Sequence, residues 1–91
     1  MADTALISLP ATLTLADARA TLQRLAPQLA AADAPVLDAS ALQVLDSAAV
    51  ALLLECRRQA AARGRTLRVT GAPPKLAQLA QLYGVAELLA L

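Results

Sequence analysis

The amino-acid sequence predicts a small α/β domain in which a mixed β-sheet has helices packed mainly on one face. Runs with a period of two residues, typical of β-strands, alternate with stretches in which apolar residues recur at helical spacing. The strand, helix and strand predicted between Val36 and Thr70 are long enough for a parallel crossover. The 91 residues suit a single domain, which we expect to span residues 1–91.

Two short strands are predicted at the start of the chain. The runs 4–9 and 11–15 have period-two character and are separated by Pro10. An antiparallel pair is one arrangement open to them.

The first helix is predicted from about Leu15 to Ala32. Thr14 lies three residues before Asp17, a spacing that resembles a capping box. A mid-helix proline costs about 3 kcal/mol and removes a hydrogen bond, so Pro27 predicts a kink or a break near Leu25. The apolar face of this helix consists of Ala18, Leu22, Leu25 and Leu29.

A buried strand and a second helix follow. The strand, Val36 to Ser40, comes directly after Pro35, and its carboxyl end leads toward Asp46 and Ser47. The helix is predicted from Ala48 to Arg63, with Gly64 as its C-terminal cap. Its apolar stripe consists of Ala49, Leu53, Cys56 and Ala60.

The last third of the chain predicts one more strand and two helical pieces. Residues 65–71 alternate polar and apolar side chains, and the pair Pro73 and Pro74 opens a helix that Gly84 ends. A short terminal piece covers residues 85–89. The helix places Leu76, Leu79, Ala80 and Tyr83 on one face.

Composition argues against several function classes. The net charge of +1 and the single aromatic residue, Tyr83, offer little to a nucleic acid. Histidine is absent and Cys56 is the only cysteine, so neither an internal disulfide nor a Cys/His metal site is expected. Cys56 lies within an apolar helix pattern, which favours a buried packing residue over a reactive thiol.

The sequence also gives little support for catalysis. The only acids near the candidate loop are Asp38 and Asp46, and they lack a histidine to complete a hydrolytic site. The three glycines lie at element ends, so no phosphate-binding loop and no cofactor are predicted. No apolar run approaches the about 18 residues that span a bilayer, and no signal peptide is apparent, so a cytoplasmic location is expected.

The candidate site is the junction of Asp46 and Ser47 with the helix that follows. In open α/β sheets, binding residues collect where strand ends meet helix N-termini. Ser47 is expected to cap the helix while Asp46 supports the turn. A phosphate on Ser47 would meet the positive end of the helix dipole but would be repelled by Asp46.

These residues resemble the STAS domain family, which includes bacterial anti-sigma-factor antagonists and sulfate-transporter tails. The resemblance covers essentially the whole chain and depends on the order of elements, the strand 36–40, the junction 46–49 and the strand 67–71. The segment 75–85 looks most like the end of MlaB-type domains, the small cytoplasmic STAS subunits of Mla phospholipid transporters.

The resemblance implies two alternative roles for Ser47. In antagonists, the corresponding hydroxyl is phosphorylated by a partner kinase, which switches binding to an anti-sigma factor. In MlaB-type domains, the hydroxyl residue and the following helix dock on the ATPase subunit of the ABC transporter, which places the domain peripheral to the inner membrane. Many antagonists have glycine where this chain has Ala49, which slightly disfavours the kinase role. The expected contact residues are Asp46, Ser47, Ala48, Ala49, Leu52 and Tyr83.

Two surface features are open to more than one interpretation. Five arginines within residues 57–68 form either a solvated face with favourable charge near a helix C-terminus or a site for an acidic partner. The 58% content of hydrophobic residues predicts exposed aliphatic surface, which favours protein contacts and allows a weak homodimer.

Overall fold

The computed structural model describes residues 4–91 and confirms the α/β class. The first half of the described chain contains β1 (Thr4–Ser8), β2 (Thr12–Leu13), α1 (Leu15–Ala31), β3 (Ala34–Asp38) and β4 (Val44–Leu45). The second half contains α2 (Ser47–Ala62), β5 (Arg68–Thr70), α3 (Pro74–Leu82) and α4 (Ala86–Leu89).

The strands form two small parallel sheets instead of one. The larger sheet has the order β1-β3-β5, and the smaller joins β2 to β4. The parallel crossover from β3 to β5 is confirmed. The antiparallel opening pair is wrong, because β1 pairs in parallel with β3 and β2 pairs in parallel with β4. A period-two pattern predicts strands, but it does not specify their partners.

One face of the larger sheet is buried against the helices. Ile7, Leu37 and Val69 are register neighbours on that face, and Ile7 and Leu37 are almost fully buried. Leu6 points to the other face and is 65% exposed. Helix α2 contacts α1, α3 and α4, so the helices share one hydrophobic core with the sheet.

Helix α1 does not break at Pro27. The helix continues to Ala31 with Pro27 on its exposed side. The Gln28 side-chain amide donates to the Arg24 carbonyl over 3.2 Å, one helical turn earlier, whereas the carbonyl that loses its helical donor at Pro27 is that of Gln23. The buried anchors Leu25 and Leu29 lie on the opposite face of this turn, and their burial stabilises helical geometry against the cost of the proline.

The smaller sheet places the first residues of α1 and α2 side by side. Leu13 of β2 is the register partner of Leu45 of β4, and each strand is followed by one residue and then a helix. Those single residues, Thr14 and Asp46, are the N-caps of the two helices. This arrangement determines the geometry of the candidate site.

The predicted roles of Cys56 and Gly84 agree with the structure. Cys56 is buried in α2, and desolvation raises the pKa of its thiol to about 12, so the thiol is protonated at neutral pH. Gly84 follows the end of α3 with a φ of 71°, the left-handed conformation that glycine adopts without strain.

Gly71 is required by a close approach as well as by its backbone angle. Its φ is 66°, and a Cβ at this position would lie 3.0 Å from the Cβ of Ser40. The turn after β5 therefore packs directly on the turn after β3.

Candidate functional site

Asp46, and not Ser47, caps helix α2. The Asp46 Oδ1 atom accepts a hydrogen bond of 2.8 Å from the amide of Ala48, and Ser47 is the first helical residue. The prediction that Ser47 is the cap is therefore wrong by one position. Both residue types are good N-caps, so the local sequence does not distinguish them.

The same carboxylate also holds the start of α1. The Asp46 Oδ2 atom accepts a hydrogen bond of 3.1 Å from the amide of Leu15, the first residue of that helix. Asp46 thus satisfies one unpaired N–H at each of two helix N-termini, where a negative charge also favours both dipoles. The carboxylate of Asp17 completes the end of α1 by accepting from the Thr14 amide and hydroxyl.

Ser47 lies on an exposed ridge between two grooves. Ser47 and Ala51, one helical turn apart on α2, are both exposed and border both grooves. The larger groove, of about 600 Å³, lies between α2 and α1. The smaller, of about 300 Å³, lies between α2 and Tyr83. We call the ridge and its two grooves the Ser47 surface.

The other predicted contact residues contribute to this surface unequally. Ala48 and Leu52 line the larger groove, although Leu52 is only 4% exposed and forms part of its base. Tyr83 lines the smaller groove and is 54% exposed. Ala49 is fully buried, so it belongs to the core and lines neither groove. Asp46 borders the larger groove, but its carboxylate is occupied by the two caps.

Helix α1 supplies part of the Ser47 surface that was not predicted from the sequence. Leu15, which is 79% exposed, and the half-buried Ala18 and Leu22 line the larger groove. Ala18 and Leu22 continue the same apolar stripe as the buried Leu25 and Leu29. The helical period therefore predicts their face, but only the packing of α1 on α2 shows where the core ends and the surface begins.

An ion pair on α2 lies at the far end of the larger groove. The Arg58 guanidinium donates to the Glu55 carboxylate, and this hydrogen bond lowers the pKa of Glu55 to about 2. Glu55 lines the groove, while Arg58 is exposed beside it. The groove is otherwise mostly aliphatic, so its chemistry suits contact with an apolar protein surface better than proton transfer.

The five arginines do not form one uniform face. Arg65 donates from Nη1 to the carbonyls of Ala30 and Ala32, both over 2.7 Å, and pairs with Asp33. It therefore supports the C-terminus of α1, which agrees with the prediction of favourable charge near a helix C-terminus. Arg57 and Arg68 remain exposed.

Two further features are absent from the described part of the chain. Residues 4–91 contain no cluster of three acidic or cysteine side chains suited to a metal ion. None of the helices in that range has the length and apolar character needed to cross a bilayer.

Comparison with protein families identifies one that covers nearly the whole chain. Residues 2–90 match the family model described as Mlab, STAS domain. No curated protein sequence matches the chain.

Several solved structures share the fold at low sequence identity. An anti-sigma-factor antagonist (STAS) domain protein from Planctomyces limnophilus aligns with a TM-score of 0.78 and 14% identity, over 92% of this chain and 77% of that chain. A sulfate transporter family protein from Wolinella succinogenes aligns at 0.73 and 19%, over 94% and 70%. The murine Solute Carrier 26 family member A9 anion transporter aligns at 0.80 and 14%, over 96% of this chain but 15% of the transporter.

Proposed function

The chain belongs to the MlaB-type STAS domain family, and from that premise we propose that it is a non-catalytic adaptor for an ABC transporter. In this proposal it binds and stabilises the cytoplasmic ATPase subunit of a transporter that moves phospholipids and maintains outer-membrane lipid asymmetry. The domain then lies at the cytoplasmic side of the inner membrane through its partner. STAS domains are generally regulatory or interaction domains, which fits this role.

The exposed ridge of α2, with large apolar groups on both sides, is the observation that supports this function most strongly. Ser47 and Ala51 carry small side chains, so a partner helix or loop can approach the α2 backbone closely. Leu15 on one side and Tyr83 on the other are large, exposed apolar groups that gain from burial in a complex. Exposed apolar surface of this kind marks protein interaction sites.

A substitution on the ridge tests the proposal. The tagged chain is incubated with a native extract, and captured proteins are identified by mass spectrometry. We expect an ABC transporter ATPase to be recovered with the natural chain and lost with Ala51→Arg, which places a long charged side chain between the two grooves. Ala62→Arg is the matched control, since Ala62 is exposed on the same helix and lines neither groove. Recovery of only a sigma-regulatory kinase would contradict the adaptor role.

A phosphorylation switch at Ser47 is the second candidate function, and one observation favours it. Ser47 is exposed and is not the cap, so a kinase could modify it without removing a structural hydrogen bond. The first turn of α2 is also where added negative charge meets the positive end of the dipole. In this alternative the chain is an anti-sigma-factor antagonist.

Mass spectrometry separates the two candidates. The switch predicts a gain of one phosphoryl group at Ser47 after incubation with extract and ATP, and no gain in Ser47→Ala. If the natural chain stays unmodified under conditions in which it captures the ATPase, the adaptor role alone is retained.

A further inference from the structure

A third groove lies at the opposite end of α2, along the free edge of the larger sheet. This basic groove, of about 540 Å³, is lined by the six consecutive residues 65–70, by Arg57 and Ala61 of α2, and by residues 88–90. None of these residues lines the Ser47 surface. Strand β5 is the last strand in the order β1-β3-β5, so one of its edges has no neighbouring strand among residues 4–91.

The backbone of β5 can accept another strand at this edge. The Thr70 carbonyl accepts from the Ala39 amide over 2.8 Å, which shows that Thr70 directs its backbone groups toward β3. Since successive residues of a strand alternate, the N–H and C=O groups of Val69, the middle residue of β5, point to the opposite edge. Strand β5 itself covers Arg68–Thr70, about 10 Å at the usual rise of a strand, and residues 65–67 lead into it.

The side chains around this edge combine apolar and basic character. Leu67, Val69 and the 51% exposed Leu88 supply apolar contact area. The ion pairs within residues 4–91 join Arg58 to Glu55 and Arg65 to Asp33, which leaves Arg57 and Arg68 without an acidic partner.

We propose that the basic groove binds an extended, acidic segment of a partner protein, which adds as a strand to the free edge of β5. The main chain of the segment pairs with Val69, its apolar side chains contact Leu88, and its carboxylates pair with Arg57 and Arg68. Strand addition of this kind draws affinity from backbone hydrogen bonds and specificity from the alternating side chains. A second copy of the chain fits poorly, because pairing two β5 edges brings their arginines together.

Titration of the ¹⁵N-labelled full chain with a synthetic octapeptide of alternating valine and glutamate tests the proposal. We expect amide shift changes at residues 66–70 and unchanged shifts at Ser47 and Ala48. The double variant Arg57→Glu with Arg68→Glu should weaken binding at least about tenfold, since complementary charge is replaced by like charge. Arg63→Glu is the matched control, because Arg63 is exposed but does not line the groove, and it should retain affinity within about twofold.

Two further peptides keep the test decisive if the double variant fails to fold. A peptide that is N-methylated at every residue has no backbone donor on either edge and should lose binding, and a valine and lysine peptide should not bind. The proposal would be overturned if either of these peptides bound as tightly as the valine and glutamate peptide. It would also be overturned if only the amides of the Ser47 surface shifted, or if residues 66–70 showed no shift at millimolar peptide. Shifts at Arg68 to Thr70 that depend on chain concentration without peptide would overturn it in favour of self-pairing. Equal shifts with a single-stranded oligonucleotide would overturn it in favour of a general anion site.

Discussion

The two ends of α2 support the two ends of α1 with opposite charges. At the N-terminal end, Asp46 accepts a hydrogen bond from the first amide of α1 as well as capping α2. Beyond the C-terminal end, Arg65 donates to the carbonyls of Ala30 and Ala32 at the end of α1. The signs agree with the helix dipole, which favours anions at N-termini and cations at C-termini.

Each end of α2 carries both a residue that stabilises the fold and a residue that is available to partners. At each end, the residue that holds α1 lies close to an exposed residue whose side chain forms no hydrogen bond with the rest of residues 4–91. These are Ser47, beside Asp46, and Arg68, three positions after Arg65. The surface at the first end is mostly aliphatic and that at the second is basic. The two ends therefore suit different partners, although one helix connects them.

Substitution of Asp46 should have the largest effect on stability. Asp46→Ala removes the cap of α2 and the hydrogen bond to Leu15, and at about 1 kcal/mol for each we expect a loss of about 2 kcal/mol in the free energy of unfolding. Asp46→Asn keeps one acceptor oxygen and should lose about half as much. Urea unfolding measures both variants.

Ser47→Ala is the control for this prediction. Since Ser47 is an exposed first-turn residue, its removal should change stability by less than about 0.5 kcal/mol. A loss from Ser47→Ala as large as that from Asp46→Ala would show that the cap has been assigned to the wrong residue.

Substitution of Arg65, beyond the C-terminal end of α2, should have a somewhat smaller effect on the free energy of unfolding. Arg65→Gln breaks the guanidinium bonds to the α1 carbonyls, and we expect a loss of about 1.5 kcal/mol, measured by the same unfolding experiment. Arg68→Gln should leave stability within about 0.5 kcal/mol of the natural chain. If the two substitutions cost the same, the distinction between a structural and an available arginine is wrong.

The smallest effect on stability is expected from substitution of Glu55, in the middle of α2, and this effect depends on pH. Arg58 lowers the pKa of Glu55 from 4.5 to about 2 in the folded chain, so the pair stabilises the fold fully above about pH 4.5 and loses its contribution as the pH falls toward 2. The difference in urea midpoint between the natural chain and Glu55→Gln should thus be smaller at pH 3 than at pH 7. A difference that grows on acidification would contradict the ion pair.

The sequence predicts those features of the fold that depend on local chemistry. The spacing of Thr14 and Asp17 predicts the start of α1, Gly84 marks the end of α3, and the pattern from Val36 to Thr70 predicts a parallel crossover. Each depends on residues that are close in sequence or on a general rule of sheet topology.

The remaining features depend on contacts between distant residues. Asp46 becomes the cap partly because Leu15, 31 positions away, donates to the same carboxylate. The grooves of the Ser47 surface exist because α1 lies against α2, and no period along either helix encodes that contact. Pro27 is tolerated because Leu25 and Leu29, on the opposite side of the same helical turn, are buried in the core.

The central claim is that the residues that stabilise the fold differ from those that bind partners. Its most direct test is a map of the surface that an ABC transporter ATPase covers. The ¹⁵N-labelled chain is titrated with the purified ATPase, and amide shifts are recorded along α2. We predict changes at Ser47, Ala48 and Ala51 together with Leu15 and Tyr83, and none at residues 66–70. Changes confined to the basic groove, with the Ser47 amide unaffected, would contradict the assignment of the ATPase to the Ser47 surface.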